Sequence, residues 1–158
     1  MSETTKKPLI YAALAKVVAQ VGAVGKNQRN AMQNYRYRGV EDVIAAVKPV
    51  MVEHGVFVYP VVVEHAATQE LVGGKKTPMF HVVARIEFHF AATDGSEVVA
   101  TTIGEGTDTG DKAANKAMTA AYKYALVETL MIPDELHDGD AESPGFDTGD
   151  VTDEEGAF

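Results

Sequence analysis

GEGTDTGDKAANKAMTAAYKYALVETLMIPD, residues 104–134, carries the chain from a strand through a glycine-rich corner into a helix. At about 100° of rotation per residue, Lys112, Lys116 and Lys123 fall with Thr119 inside a sector of roughly 60°. Such a stripe is either a track for a phosphate backbone or a solvated helix face. On the opposite side Ala114, Ala117, Met118, Ala121 and Ala125 are mostly small, which lets a helix approach a sheet closely. The helix is therefore expected to dock by one face and present charge on the other. Gly106 and Gly110 suit a tight turn before it, and Thr107, Asp108 and Thr109 offer caps for its start.

Working back from the corner, the hydrophobic period is 2. In residues 79–92, Phe80, Val82, Ala84, Ile86, Phe88 and Phe90 point one way, and His81, Val83, Arg85, Glu87 and His89 the other. Asp94-Gly95 is a hairpin signal, after which residues 97–105 return antiparallel. Residues 56–65 are β-branched and aromatic and read as a first strand, followed by a polar loop through Gly73, Gly74, Lys75 and Lys76 to Pro78. Further back the period is helical. Residues 8–23 carry Leu9, Ile10, Leu14, Val17, Val18 and Val21 behind Pro8, and residues 40–54 carry Val43, Ile44, Val47, Val50 and Met51, with Gly55 as a stop. Pro49 predicts a kink or break near residues 45–48. Between these helices Tyr35-Arg36-Tyr37-Arg38-Gly39 reads as one short extended strand or loop. The fold class is α+β: N-terminal helices, a three-stranded antiparallel β-meander, then a long helix. Residues 1–7 are expected to be a flexible N-terminus, 8–133 one domain, and 134–158 a disordered acidic tail.

The formal net charge is −9. Its distribution matters more than its sum. Residues 1–133 hold all 14 Lys and Arg against 13 Asp and Glu, a net +1, whereas residues 134–158 hold 10 acidic residues and no Lys or Arg. The low pI belongs to the tail. With no cysteine, disulfides, thiolate metal sites and thiol nucleophiles drop out together. No apolar run approaches the roughly 18 residues of a membrane span, and MSETTKKPL lacks a signal-peptide core, so a cytoplasmic location is expected.

Catalytic patterns fit poorly. A phosphate-binding loop needs Gly, four residues, then Gly-Lys-Ser/Thr; here five residues lie between Gly104 and Gly110, and Asp111-Lys112-Ala113 follows. His81 and His89 are roughly 26 Å apart along one strand, too far to share a metal. The serines, Ser2, Ser96 and Ser143, sit at a terminus, a turn and the tail, which leaves no credible nucleophile. No catalytic residue, cofactor or metal is expected. Basic and aromatic residues interleave more convincingly: in an extended strand Tyr35 and Tyr37 share one face, Arg36 and Arg38 the other. The arginines suit phosphates and the tyrosines suit base stacking, each stack worth about 1 to 3 kcal/mol in single-strand binders. An edge strand with its tyrosines in the core accounts for the same pattern.

YRYRGVEDVIAAVKPVMVEHGV and the block at 104–134 together resemble the essential-recombination-function (ERF) family of phage single-strand annealing proteins, over about residues 8–138. The resemblance implies ATP-independent binding of single-stranded DNA and pairing of complementary strands, by rings or helical filaments built on a β-β-β-α core. Carried onto this sequence, the family's motif gives Lys112, Lys116 and Lys123 on the helix, Tyr122 and Tyr124 beside them as packing or stacking residues, and Arg36 and Arg38 in the tyrosine-arginine segment. Arg85, Lys75 and Lys76 join the candidate DNA contacts on charge and placement alone. An oligomeric protein-binding scaffold or regulator on the same fold is the alternative. The tail ends in Asp153, Glu154, Glu155 and, three residues on, Phe158, resembling the acidic tips of bacterial single-strand binding proteins without their penultimate proline. It is expected either to recruit an exonuclease or a host replication or repair protein, to compete with DNA for the basic groove, or to act as a solubilising tail.

Overall fold

The computed structural model describes residues 5–26, 28–31 and 35–133, and of residues 28–30 and 35–37 the backbone alone. The acidic segment 134–158 lies outside the described residues. The chain runs α1 (Leu9–Gln20), β1 (Gln28–Asn30), β2 (Tyr35–Tyr37), α2 (Val40–Glu53), β3 (Val56–Val72), β4 (Thr77–Ala92), β5 (Glu97–Asp108) and α3 (Ala113–Thr129). β3, β4 and β5 form an antiparallel meander with β4 in the middle, and α3 follows it directly. The expected α+β layout is the one found.

The helices gather on one face of this sheet. Ile10 and Val17 of α1, Val43, Val47 and Met51 of α2, Ala84, Ile86, Phe88 and Phe90 of β4, and Ala117, Ala121, Ala125 and Leu126 of α3 belong to one buried cluster. The even-numbered residues of β4 are thus the inward set, as their alternation predicts. α1 stops at Gln20, short of residue 23, because Val21 is already extended at ψ 121°. Leu9, expected inside, is exposed, and the first turn of α1 is instead tied down by its backbone: Leu9 N donates to Asp94 Oδ2 and Ile10 N to Ser96 Oγ, each at 3.1 Å. Side chains of the β4–β5 turn therefore satisfy the open donors of a helix far away in sequence.

Two expectations are corrected and one strand is added. The break expected near residues 45–48 is absent, since α2 is a single helix through Pro49. Pro49 and Ala45, whose carbonyl the proline leaves without a ladder donor, are both exposed, so that carbonyl need not be satisfied within the protein. β3 does not end at residue 65, since residues 66–72 pair with residues 77–83 of β4 and confine the loop to residues 73–76, where Gly73 and Lys76 adopt φ of 73° and 50°. β1 was not anticipated: it pairs antiparallel with β2, Arg29 opposite Arg36.

Candidate nucleic-acid interface

The docking of α3 is set by two glycines in β5. An ideal Cβ on Gly104 would stand 1.9 Å from the Ala117 carbonyl oxygen, and one on Gly106 would stand 2.2 Å from that of Ala113. Gly106 therefore serves a close strand–helix approach inside β5 rather than the turn expected of it. The buried line on α3 is Ala113, Ala117, Ala121 and Ala125, with Thr102 Oγ1 donating to the Ala121 carbonyl at 2.8 Å. Ala114 and Met118, expected to dock, are exposed: the helix is rolled so that its i, i+4 alanines lie over the glycines.

That roll turns the lysine stripe toward the start of α2. Lys112, Lys116 and Lys123, with Asn115, Thr119 and Ala120, form one wall of a groove of about 350 Å³ whose other wall is Arg38, Gly39 and Val40. Four of the cationic side chains singled out from sequence thus share one site. Their partners differ. Lys116 Nζ donates to Asp108 Oδ1 at 2.7 Å and to the Thr107 carbonyl at 2.9 Å, Lys123 Nζ to the Arg38 carbonyl at 3.4 Å, and Arg38 Nη1 to the Pro133 carbonyl at 3.3 Å. Lys123 also stands 5.3 Å from the centre of the Tyr124 ring, within cation–π range. Tyr122 is a packing residue, its ring stacked on Phe88 at 5.5 Å, and burial raises its hydroxyl pKa.

Asp108 organises the corner. Its Oδ2 accepts from Gly110 N at 2.9 Å and from Lys112 N at 3.3 Å, while its other oxygen takes the Lys116 ammonium. The Lys116 hydrogen bond first, then the Gly110 backbone N–H, holds its carboxyl below the ordinary value of 3.8. A carboxyl that titrates lower folded than unfolded stabilises fully above the unfolded value and loses that contribution as pH falls through the folded one. Urea midpoints of the wild type should therefore drop on acidification below about pH 4, and Asp108→Asn should start lower and drop less. Equal acid slopes for the two proteins would remove Asp108 from this role.

The remaining candidates are scattered. Arg85 stands on the opposite face of the sheet, 3.4 Å from Glu64, in a row where His89 lies between Glu87 at 3.2 Å and Glu97 at 3.0 Å and stacks on Tyr59. The hydrogen bond that His89 donates to Glu97, above all, raises the His89 pKa. Lys75 and Lys76 are at the β3–β4 turn. The backbone of Tyr35, Arg36 and Tyr37 is in β2, immediately before the groove, but their side chains lie outside the described residues, as do Asp153, Glu154, Glu155 and Phe158. Sequence reasoning missed the groove residues Asn115, Gly39 and Val40, which are neutral and carry no pattern of their own. It also missed an apolar cavity of about 430 Å³ between α2, α3 and the sheet, bordered by Ile44, Val58, Pro60, Phe88, Met118 and Tyr122. Among the described residues, no helix is long and apolar enough to cross a membrane.

Compared with known proteins, residues 10–148 match the family model described as the ERF superfamily. No curated protein matches the chain.

Proposed function

The chain belongs to the ERF superfamily, and from that membership together with the lysine groove we propose that it binds single-stranded DNA and anneals complementary strands without ATP, acting as an oligomer. Membership carries a role in phage recombination or annealing in general terms. The observation that carries the finer reading is the convergence of Arg38, Lys112, Lys116 and Lys123 on one groove from two separate parts of the sequence. Cations arranged along a trough hold phosphates without reading bases, which leaves base edges available to a second strand. Pairing two polyanions requires their repulsion to be screened and the first strand to be extended. Neither step makes or breaks a covalent bond.

Residues 1–133 carry a net charge of only +1, which makes each copy a weak electrostatic binder, so grip must come from several grooves engaging one strand. The test is annealing of complementary oligonucleotides followed by fluorescence, in dilute buffer and then with added salt. Acceleration at low salt that fades as salt rises is the expected result. No acceleration by correctly assembled protein would end this reading. The scaffold alternative draws on one observation, the outer face of the sheet, where Phe57, Val99 and Ile103 are exposed among the described residues. Salt-sensitive binding of oligo-dT separates the two, because a scaffold has no reason to hold it.

A further inference from the structure

β3 is an edge strand exposed on both faces. Every residue from 59 to 71 is exposed, including the consecutive Val61, Val62 and Val63 at 42%, 47% and 43%. Among the described residues β4 is its one strand neighbour. Long edges of this kind are ready templates for pairing, and proteins that must stay apart usually guard them with lysine, proline, bulges or a covering element. β3 has no lysine or arginine. Its two guards, Pro60 and the bulge between Val62 and Glu64, lie together at one end, which leaves residues 64–71 open. At the far side of the sheet β5 has, among the described residues, a second free edge of 12 residues, long enough to span that stretch, with Val99 and Ile103 exposed at 47% and 60%.

We propose that the free edge of β3 at residues 64–71 pairs with the β5 edge of a second copy of this chain, head to tail. This rests on the oligomeric reading above and names where copies meet. A second copy is the occupant because it closes both edges with one repeated contact; an unrelated strand would close one and leave the other open. β3 and β5 both run antiparallel to β4, so they run parallel to each other. A neighbour in the same orientation therefore pairs β5 parallel to β3 and keeps every α3, with its lysines, on one side of a continuous sheet. Such a contact is heterologous and produces a ring or a filament according to whether the rotation closes.

Backbone direction supplies a specific test. Pro60 fits in this strand with its missing N–H directed away from β4. Counting by twos through the registers, and allowing for the bulge, Ala67 N–H also points outward from β3, and Thr101 N–H points outward from β5. Ala67→Pro and Thr101→Pro each remove one donor from a free edge and spare the ladder to β4. Both full-length variants should keep the wild-type circular dichroism and melting temperature, and run as single chains in sedimentation velocity where the wild type runs as a multimer. Mixed one to one they should form a dimer, because Ala67→Pro retains an intact β5 and Thr101→Pro an intact β3. Lysine pairs, Ala66→Lys/Thr68→Lys and Val99→Lys/Thr101→Lys, repeat the experiment should either proline variant misfold. Variants that assemble like the wild type, or that dissociate and do not combine on mixing, would overturn the proposal. Dissociation by Ala67→Pro alone would show a two-fold β3–β3 contact and overturn it equally. If single-chain variants retain salt-dependent oligo-dT binding, the groove reading survives any of these outcomes; if the wild type itself is a single chain, both the interface and the oligomeric reading fall.

Discussion

Alanine at Gly104 should destabilise the protein by about 3 kcal/mol or more, at the upper end of what overpacking costs, and lower its melting temperature by roughly 10 °C. The reason is that the clash is with backbone. The added carbon would meet the Ala117 carbonyl oxygen at 1.9 Å and Ala121 N at 2.8 Å, and at Gly106 it would meet Ala113 O at 2.2 Å and Ala117 N at 2.6 Å. No side-chain rotation relieves either contact, so α3 must lift from β5 or the strand must bend. Gly106→Ala should behave similarly. Gly110→Ala is the control, since its nearest neighbour is the Asp108 carboxylate at 3.2 Å, and a cost under about 1 kcal/mol is expected there. Urea unfolding of the three variants measures the difference directly. A Gly104→Ala protein as stable as the Gly110→Ala control would mean that α3 is not seated on those glycines.

Removing two groove cations together, Lys112→Gln with Lys116→Gln, should weaken oligonucleotide binding to all sequences alike. For single strands the slope of log K against log salt falls by about 0.7 per lost phosphate contact, so a decrease of about 1.4 is expected for the pair. Binding at low salt should weaken most, and the two proteins should converge as salt rises. Lys116 also loses its bond to Asp108, a partly exposed pair whose removal should leave the fold intact, as circular dichroism will check. Arginine at both positions should restore most of the slope, because the charge and not the length of the side chain is at issue. An unchanged slope in the glutamine pair would exclude both lysines from the phosphate track.

How much of this was legible in the chain depended on whether a feature is periodic. The inward set of β4 and the stripe of Lys112, Lys116 and Lys123 follow from repeat lengths of 2 and 3.6 and stand as read. The roll of α3 does not, because Ala114 and Ala117 are the same residue type and only contact with Gly104 and Gly106 separates them. The second half of β3, Ala-Ala-Thr-Gln-Glu, has no apolar alternation, and it is a strand because β4 supplies its hydrogen bonds. The caps on α1 come from Asp94 and Ser96, side chains that a local reading assigns wholly to their own turn. Arg38 was visible as a charge, but its place opposite Lys112 and Lys123 is a product of tertiary packing.

The bond between Asp108 and Lys116 has a kinetic side. A phosphate arriving at this lysine does not meet a bare ammonium; it must displace a carboxylate already 2.7 Å away. One anion is exchanged for another, and the outgoing one stays tethered to the corner, ready to return. In the proposed annealing role, such an internal competitor shortens the residence of each backbone contact. A strand held this way can slide past a poor match before it is committed.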